Sequence, residues 1–123
     1  MKKFLLTLVL GCLAISAAPA QTSYPDRAVR LIVPGSVGTI TDILAREFAQ
    51  SFSRVLQQPV IVENLVGADQ LIGTQAAVRA KPDGYTILFV SSSTTVLDPV
   101  LRANLPYDVS KDLVAGCGVF KVG

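Results

Sequence analysis

Three patterns follow one another in Arg30-Leu31-Ile32-Val33-Pro34-Gly35-Ser36-Val37-Gly38-Thr39-Ile40-Thr41-Asp42-Ile43-Leu44-Ala45-Arg46. The first, with Val29, is an apolar run too short for a helix and too β-branched to prefer one, so it reads as a strand buried on both faces. The second, Pro34 to Thr39, combines a residue without an N–H, two residues tolerant of positive φ and two hydroxyls, which suits a sharp turn. The third is a helix start. Thr39 stands three residues before Asp42, close to a capping box with aspartate in place of glutamate, and Thr41 is a second candidate cap.

A glycine-containing loop between a buried strand and a helix start offers unpaired N–H groups and the positive end of the helix dipole. That form cradles an anion, with phosphates and carboxylates as its usual clients. An ordinary βα turn with nothing bound has the same form, so the loop alone leaves both readings open.

Outward from this stretch the pattern repeats. Thr41 to Leu56 carries apolar residues at Leu44, Phe48, Phe52 and Val55/Leu56 beside Ala45 and Ala49, a helical spacing that Pro59 ends. Val60-Ile61-Val62 predicts a second strand, ending at Glu63-Asn64. Gln70 to Ala80 predicts a second, weaker amphipathic helix through Leu71, Ile72, Ala76 and Val78, with Asp69 as its cap. Lys81-Pro82-Asp83-Gly84 is turn chemistry, and Thr86 to Val90 predicts a third strand. Ser91-Ser92-Ser93-Thr94-Thr95 then lines up five hydroxyls, and Val96 to Ala103 predicts a short helix broken by Pro99. From Asn104 to Leu113 the chain reads as irregular.

Strand, helix, strand, helix, strand with continuously apolar strands argues for right-handed βαβ units and a parallel sheet, an α/β fold. Ligands of such sheets bind beyond the carboxyl ends of the strands. Those ends are the loops at 34–41, 64–69 and 91–95.

The first twenty residues read as a secretory leader. Lys2 and Lys3 form a positive head, Phe4 to Ala17 an apolar stretch, and Ala18-Pro19-Ala20 a small-residue site, which predicts a cut after Ala20. The apolar stretch is shorter than the ~20 residues that span a bilayer, so an uncleaved anchor is the weaker alternative. Val9-Leu10-Gly11-Cys12 distantly resembles a bacterial lipoprotein box, but Leu13, Ala14 and Ile15 are not the polar tether that follows such a cysteine. Removing residues 1–20 takes away Lys2 and Lys3 and no acid, leaving nine basic and nine acidic side chains. The balance gives no reason to expect nucleic-acid binding. No intrachain disulfide is expected with Cys117 alone, and no Cys/His zinc site, because the chain has no histidine. No cofactor is expected.

Several of these motifs recur together, in order, in one family: Arg30-Leu31-Ile32-Val33-Pro34, Thr41-Asp42-Ile43-Leu44-Ala45-Arg46, Gln58-Pro59-Val60-Ile61-Val62-Glu63-Asn64, Gly67-Ala68, Ile72-Gly73, Ala80-Lys81-Pro82-Asp83-Gly84-Tyr85-Thr86, Leu105-Pro106-Tyr107-Asp108 and Lys111-Asp112. From about Tyr24 to Asp112 the chain resembles the Bug or TctC family, the extracytoplasmic solute-binding receptors of tripartite tricarboxylate transporters. The resemblance implies a periplasmic-binding-protein fold of two α/β lobes with a small carboxylate, such as a dicarboxylate, tricarboxylate or amino acid, in the cleft between them. It implies a periplasmic location and the membrane components of a tripartite transporter as partners, and it implies no catalysis. Carried over by position, the ligand-binding groups are Val37, Gly38, Thr39 and Thr41 in the first loop and Ser92, Ser93 and Thr94 in the third, with Gly67 and Ala68 near the same mouth. Neutral donors of this kind hold an anion without an ion pair that would slow release.

Two departures accompany the resemblance. A glycine of the family's first loop is Thr39 here, which predicts strain if positive φ is needed at that position. Family members are also roughly three times as long as residues 21–123, as two lobes of ordinary domain size require. The expected organisation is therefore a leader at 1–20, the opening part of a first lobe with a mostly parallel sheet at 21–113, truncated before the second lobe, and an atypical tail at 114–123. A truncated product without function is the alternative to a working receptor.

Two further rivals are weaker. An enzyme would draw a nucleophile from residues 91–95, but only Lys81 or Lys111 could serve as its base and neither sits in a Ser/Lys motif. A dinucleotide-binding βαβ module would use Glu63 on ribose, yet Gly35 and Gly38 do not make the three-glycine fingerprint, and no Lys-Ser/Thr follows for a P-loop. A solvated strand end is the plainer reading of Glu63.

Overall fold

A computed structural model describes residues 24–116. The leader, its cut after Ala20, Cys12 and Cys117 lie outside them. The described elements are β1 (Val29–Val33), α1 (Ile40–Leu56), β2 (Val60–Asn64), α2 (Leu71–Val78), β3 (Thr86–Leu88), a π-helical turn (Ser93–Leu97), α3 (Asp98–Leu101) and α4 (Val109–Asp112).

The three strands form one parallel sheet in the order β2-β1-β3, the expected βαβαβ arrangement. Central β1 is the apolar run before Pro34, and its Val29, Leu31, Ile32 and Val33 are fully buried. Leu31 and Val33 face α1, packing on Ala45 and Ala49 with Phe48, Val62, Ile87 and Phe89 around them. Because successive strand residues alternate sides, Ile32 faces the opposite layer. There α2 comes close enough that a Cβ on Gly73 would lie 2.6 Å from the Cβ of Pro34.

β2 departs from the expected burial on both faces. It is an edge strand, Ile61 is 57% exposed, and Glu63 pairs with Arg30 of β1 in an ion pair that is half-exposed on both sides. The pairing holds the Glu63 carboxyl below its usual range and raises Arg30, the shared hydrogen bond being the main cause in each case. β3 is shorter than the predicted Thr86–Val90, although the Phe89 N–H still donates to the Ile32 carbonyl at 2.9 Å. α2 is shorter than Gln70–Ala80 and packs through Gly73 and Thr74, not through the apolar residues expected to form its stripe, for Ile72 is half-exposed. Pro99 does not break the helix after the hydroxyl run. It sits in the first turn of α3, where no N–H is required. The connection read as irregular contains α4, capped by Asp108, which accepts from the Ser110 N–H.

Candidate functional site

β1 is the middle strand, and the register sets Val33 opposite Asn64 and Ile32 opposite Leu88, so the loops after all three strands leave the sheet at one level. β1 connects through α1 to one neighbour, while β3 lies on its other side. The carboxyl ends of β1 and β3 thus form the switch point where open α/β sheets bind ligands.

The first loop is built around the start of α1. Gly38 carries the positive φ, +85°, and Thr39 does not: it is extended at φ −72° and ψ 161°. The strain expected from threonine at this position is therefore absent. Thr39 caps α1 instead, its Oγ1 accepting from the Asp42 N–H at 3.4 Å and donating to the Ser36 carbonyl at 2.9 Å. Asp42 reaches back as in a capping box, but to the Gly38 N–H, at 2.9 Å. Of the candidate donors, Gly38 N–H and the Thr39 hydroxyl are thus engaged within the loop. Val37 is exposed, and Thr41 lies in the first helical turn, whose N–H groups have no helical acceptor.

The Asp42 side chain is 2% exposed. It also accepts from Arg46 Nε at 3.1 Å and from Asn64 Nδ2 at 2.9 Å. These bonds, the one from Arg46 foremost and then those from Gly38 and Asn64, lower its pKa to about 2. The group is ionised across the physiological range, and its charge is neutralised locally by Arg46.

The second loop runs through four successive residues of positive φ, Gly67, Ala68, Asp69 and Gln70. Asp69, expected to cap α2, does not: Gln70 occupies that position without a side-chain cap, and Asp69 pairs with Arg102. A backbone already left-handed at the cap cannot aim Asp69 at the helix N–H groups. In the third loop Ser92 is exposed and Ser93 half-buried, with Ser91 Oγ 2.5 Å from Ser93 Oγ. Thr94 is buried, and its hydroxyl donates to Gln70 Oε1 at 2.6 Å. It ties the third loop to the second.

The structure thus gathers Val37, Gly38, Thr39, Thr41, Gly67, Ala68, Ser92, Ser93 and Thr94 at one end of the sheet. Reading the sequence missed Asp42, Arg46, Asn64 and Gln70 as the residues that organise those loops. The Thr39-to-Asp42 spacing and the i, i+4 pair Asp42/Arg46 were the available signals. A shallow depression of about 730 Å³ lies to one side, lined by Thr95, Pro99, Arg102 and Tyr107 among others. The loop cluster is the better candidate, because Arg102 is already paired with Asp69 and Asp98.

A family model described as tripartite tricarboxylate transporter family receptor, TctC, matches residues 44–119. A UPF0065 protein of Bordetella bronchiseptica is 42% identical over 112 residues, 91% of this chain and 33% of its own length. MatC of Rhodopseudomonas palustris, solved with bound malate, superposes with a TM-score of 0.69 at 31% identity over 72% of this chain and 30% of that one. Rpa4515 of R. palustris, solved with adipate, gives 0.66 at 28% identity over 71% and 29%. The chain belongs to the TctC receptor family, also called Bug. Its members are periplasmic solute-binding proteins and not enzymes. The chain spans about a third of the length of the curated relatives it matches.

Proposed function

We propose that this chain forms the opening part of the first lobe of a periplasmic receptor that captures a small carboxylate for a tripartite tricarboxylate-type transporter. The observation that carries the reading is the convergence of three loops at the β1/β3 switch point, one of them leading into a helix whose Ile40 and Thr41 N–H groups have no helical acceptor, the Asp42 N–H being taken by the Thr39 cap. The malate and adipate held by two family structures of the same local fold support a carboxylate as the ligand. Val37 and Thr41 are its donors in the first loop, with Gly38 and Thr39 shaping that loop. Ser92 and Ser93 are donors in the third, where Thr94 fixes the path. Gly67 and Ala68 line the neighbouring wall. Residues 1–20 deliver the chain to the periplasm and are removed after Ala20, residues 21–113 form the lobe portion, and 114–123 follow as a tail. The membrane components of the transporter are its partners.

The test is a thermal melt of the chain from residue 21 onward, repeated with malate, adipate and a panel of other dicarboxylates and amino acids. Ligand at a hundred times its Kd stabilises the native state by about 2.7 kcal/mol, which moves a domain of this size by many degrees. An upward shift with one carboxylate is the expected outcome. A cooperative transition indifferent to every ligand counts against binding, and the absence of any transition favours a product that has lost its function.

A further inference from the structure

Asp42, Arg46 and Asn64 form a closed triangle beneath the first loop. Asp42 accepts from Arg46 and from Asn64, while Arg46 Nη2 donates to Asn64 Oδ1 at 3.1 Å. The triangle grips the loop at two peptide groups: Asn64 Nδ2 also donates to the Gly35 carbonyl at 3.0 Å, and Asp42 takes the Gly38 N–H. Two more carbonyls are occupied nearby. Ser36 accepts from the Thr39 N–H and hydroxyl, and Thr39 accepts from the Ile43 N–H. A carbonyl facing the mouth would repel an anion, and the carbonyls of Gly35, Ser36 and Thr39 are all satisfied inside the chain. Val37 and Ile40, by contrast, stand on its exposed side.

We propose that the Asp42–Arg46–Asn64 triangle is the positioning device of the first loop, holding the Gly35 carbonyl inward and the Gly38 peptide in place so that the loop favours an anion at its mouth. Asp42 and Asn64 touch no ligand in this scheme; they act through the peptides they hold. The matched charges of Asp42 and Arg46 let a carboxylate do this structural work beside an anion site without repelling the ligand. The inference rests on the carboxylate-binding reading above for its ligand, but not for its geometry.

The test uses the full chain expressed with its own leader, labelled with ¹⁵N, as wild type and as Asp42→Asn and Asn64→Ala. Asn64→Ala keeps the Asp42–Arg46 pair, so it reports on the triangle should Asp42→Asn fail to fold. Amide exchange of Gly38, taken relative to Leu31 and Val33 in β1, reads loop geometry without ligand, and the thermal shift with malate or adipate reads binding. Loss of the grip predicts Gly38 exchange faster by about tenfold, with β1 unchanged and the carboxylate shift lost. Gly38 exchange that keeps its rate in the folded variants, or a carboxylate shift that survives in them undiminished, overturns the proposal. A wild type that shifts with no carboxylate overturns the receptor reading instead, and the exchange of Gly38 then decides the triangle by itself.

Discussion

Gly38 and Thr39 are neighbours with opposite backbone requirements. Gly38 sits at φ +85°, and a Cβ added there would meet nothing within 4 Å, so Gly38→Ala costs conformational energy only. About 1–2 kcal/mol is expected, read as a lowered urea midpoint. Thr39→Ala removes the cap and costs about 1 kcal/mol in the same measurement. Acid dependence follows from Asp42. Its folded pKa of about 2 lies below the unfolded value near ~3.9, so its stabilisation is complete above the unfolded value and is lost as pH falls through the folded one. Asp108, held to about 2 chiefly by the Ser110 hydroxyl and Lys111, behaves alike. Urea midpoints should therefore fall between about pH 4 and about pH 2, and fall less steeply in Asp108→Asn.

At the level of elements, α2 shows how a short helix can pack without an apolar stripe. Its contact is the backbone at Gly73, where an added Cβ would meet the Leu65 carbonyl oxygen at 2.8 Å as well as Pro34. Gly73→Ala is expected to cost about 1–3 kcal/mol by overpacking, although alanine is the better helix former. Leu31→Ala, at the centre of β1, removes a fully buried side chain from between the layers. It is expected to cost about 2–5 kcal/mol. Ile61 on the β2 edge behaves differently, since its side chain is already half in water. Ile61→Lys should change stability by no more than about 0.5 kcal/mol while lowering self-association on a sizing column.

Across the molecule, the end of the sheet away from the loops is closed by a clamp. The Tyr24 hydroxyl donates to the Gly84 carbonyl at 2.7 Å, and the Tyr85 hydroxyl donates to Asp26 at 2.6 Å. Arg27 stacks over the Tyr85 ring at 4.1 Å and pairs with Asp83 at 3.0 Å. The lead-in to β1 is thereby fastened to the turn before β3, which holds the two strands of the switch point together from their amino ends. Tyr85→Phe keeps the ring and loses the bond to Asp26. A lower thermal midpoint with an unaltered carboxylate shift is the expected result, because the clamp and the loops occupy opposite ends of the sheet.

What the sequence determined by itself was the order β1-α1-β2-α2-β3 and the end of the sheet at which the candidate loops gather. Arg30 apart, Val29 to Val33 is apolar, with Leu31 and Val33 on one face and Ile32 on the other, and a central strand between two helical layers buries them. Gly35 to Thr39 and Ser91 to Thr95 are turn and hydroxyl residues directly after strands. The motif spacing from Arg30 to Asp112 carried the family. Tertiary structure decided what local pattern cannot encode: that Ile61 lies on an edge, that α2 packs through a glycine, that Thr94 faces Gln70 and that Asn64 grips the first loop. Each of those depends on a partner far along the chain, and periodicity reports only on neighbours within a turn or two. The direction of the Gly38 N–H belongs to the same class, because it is set by a carboxylate whose own position is fixed from β2.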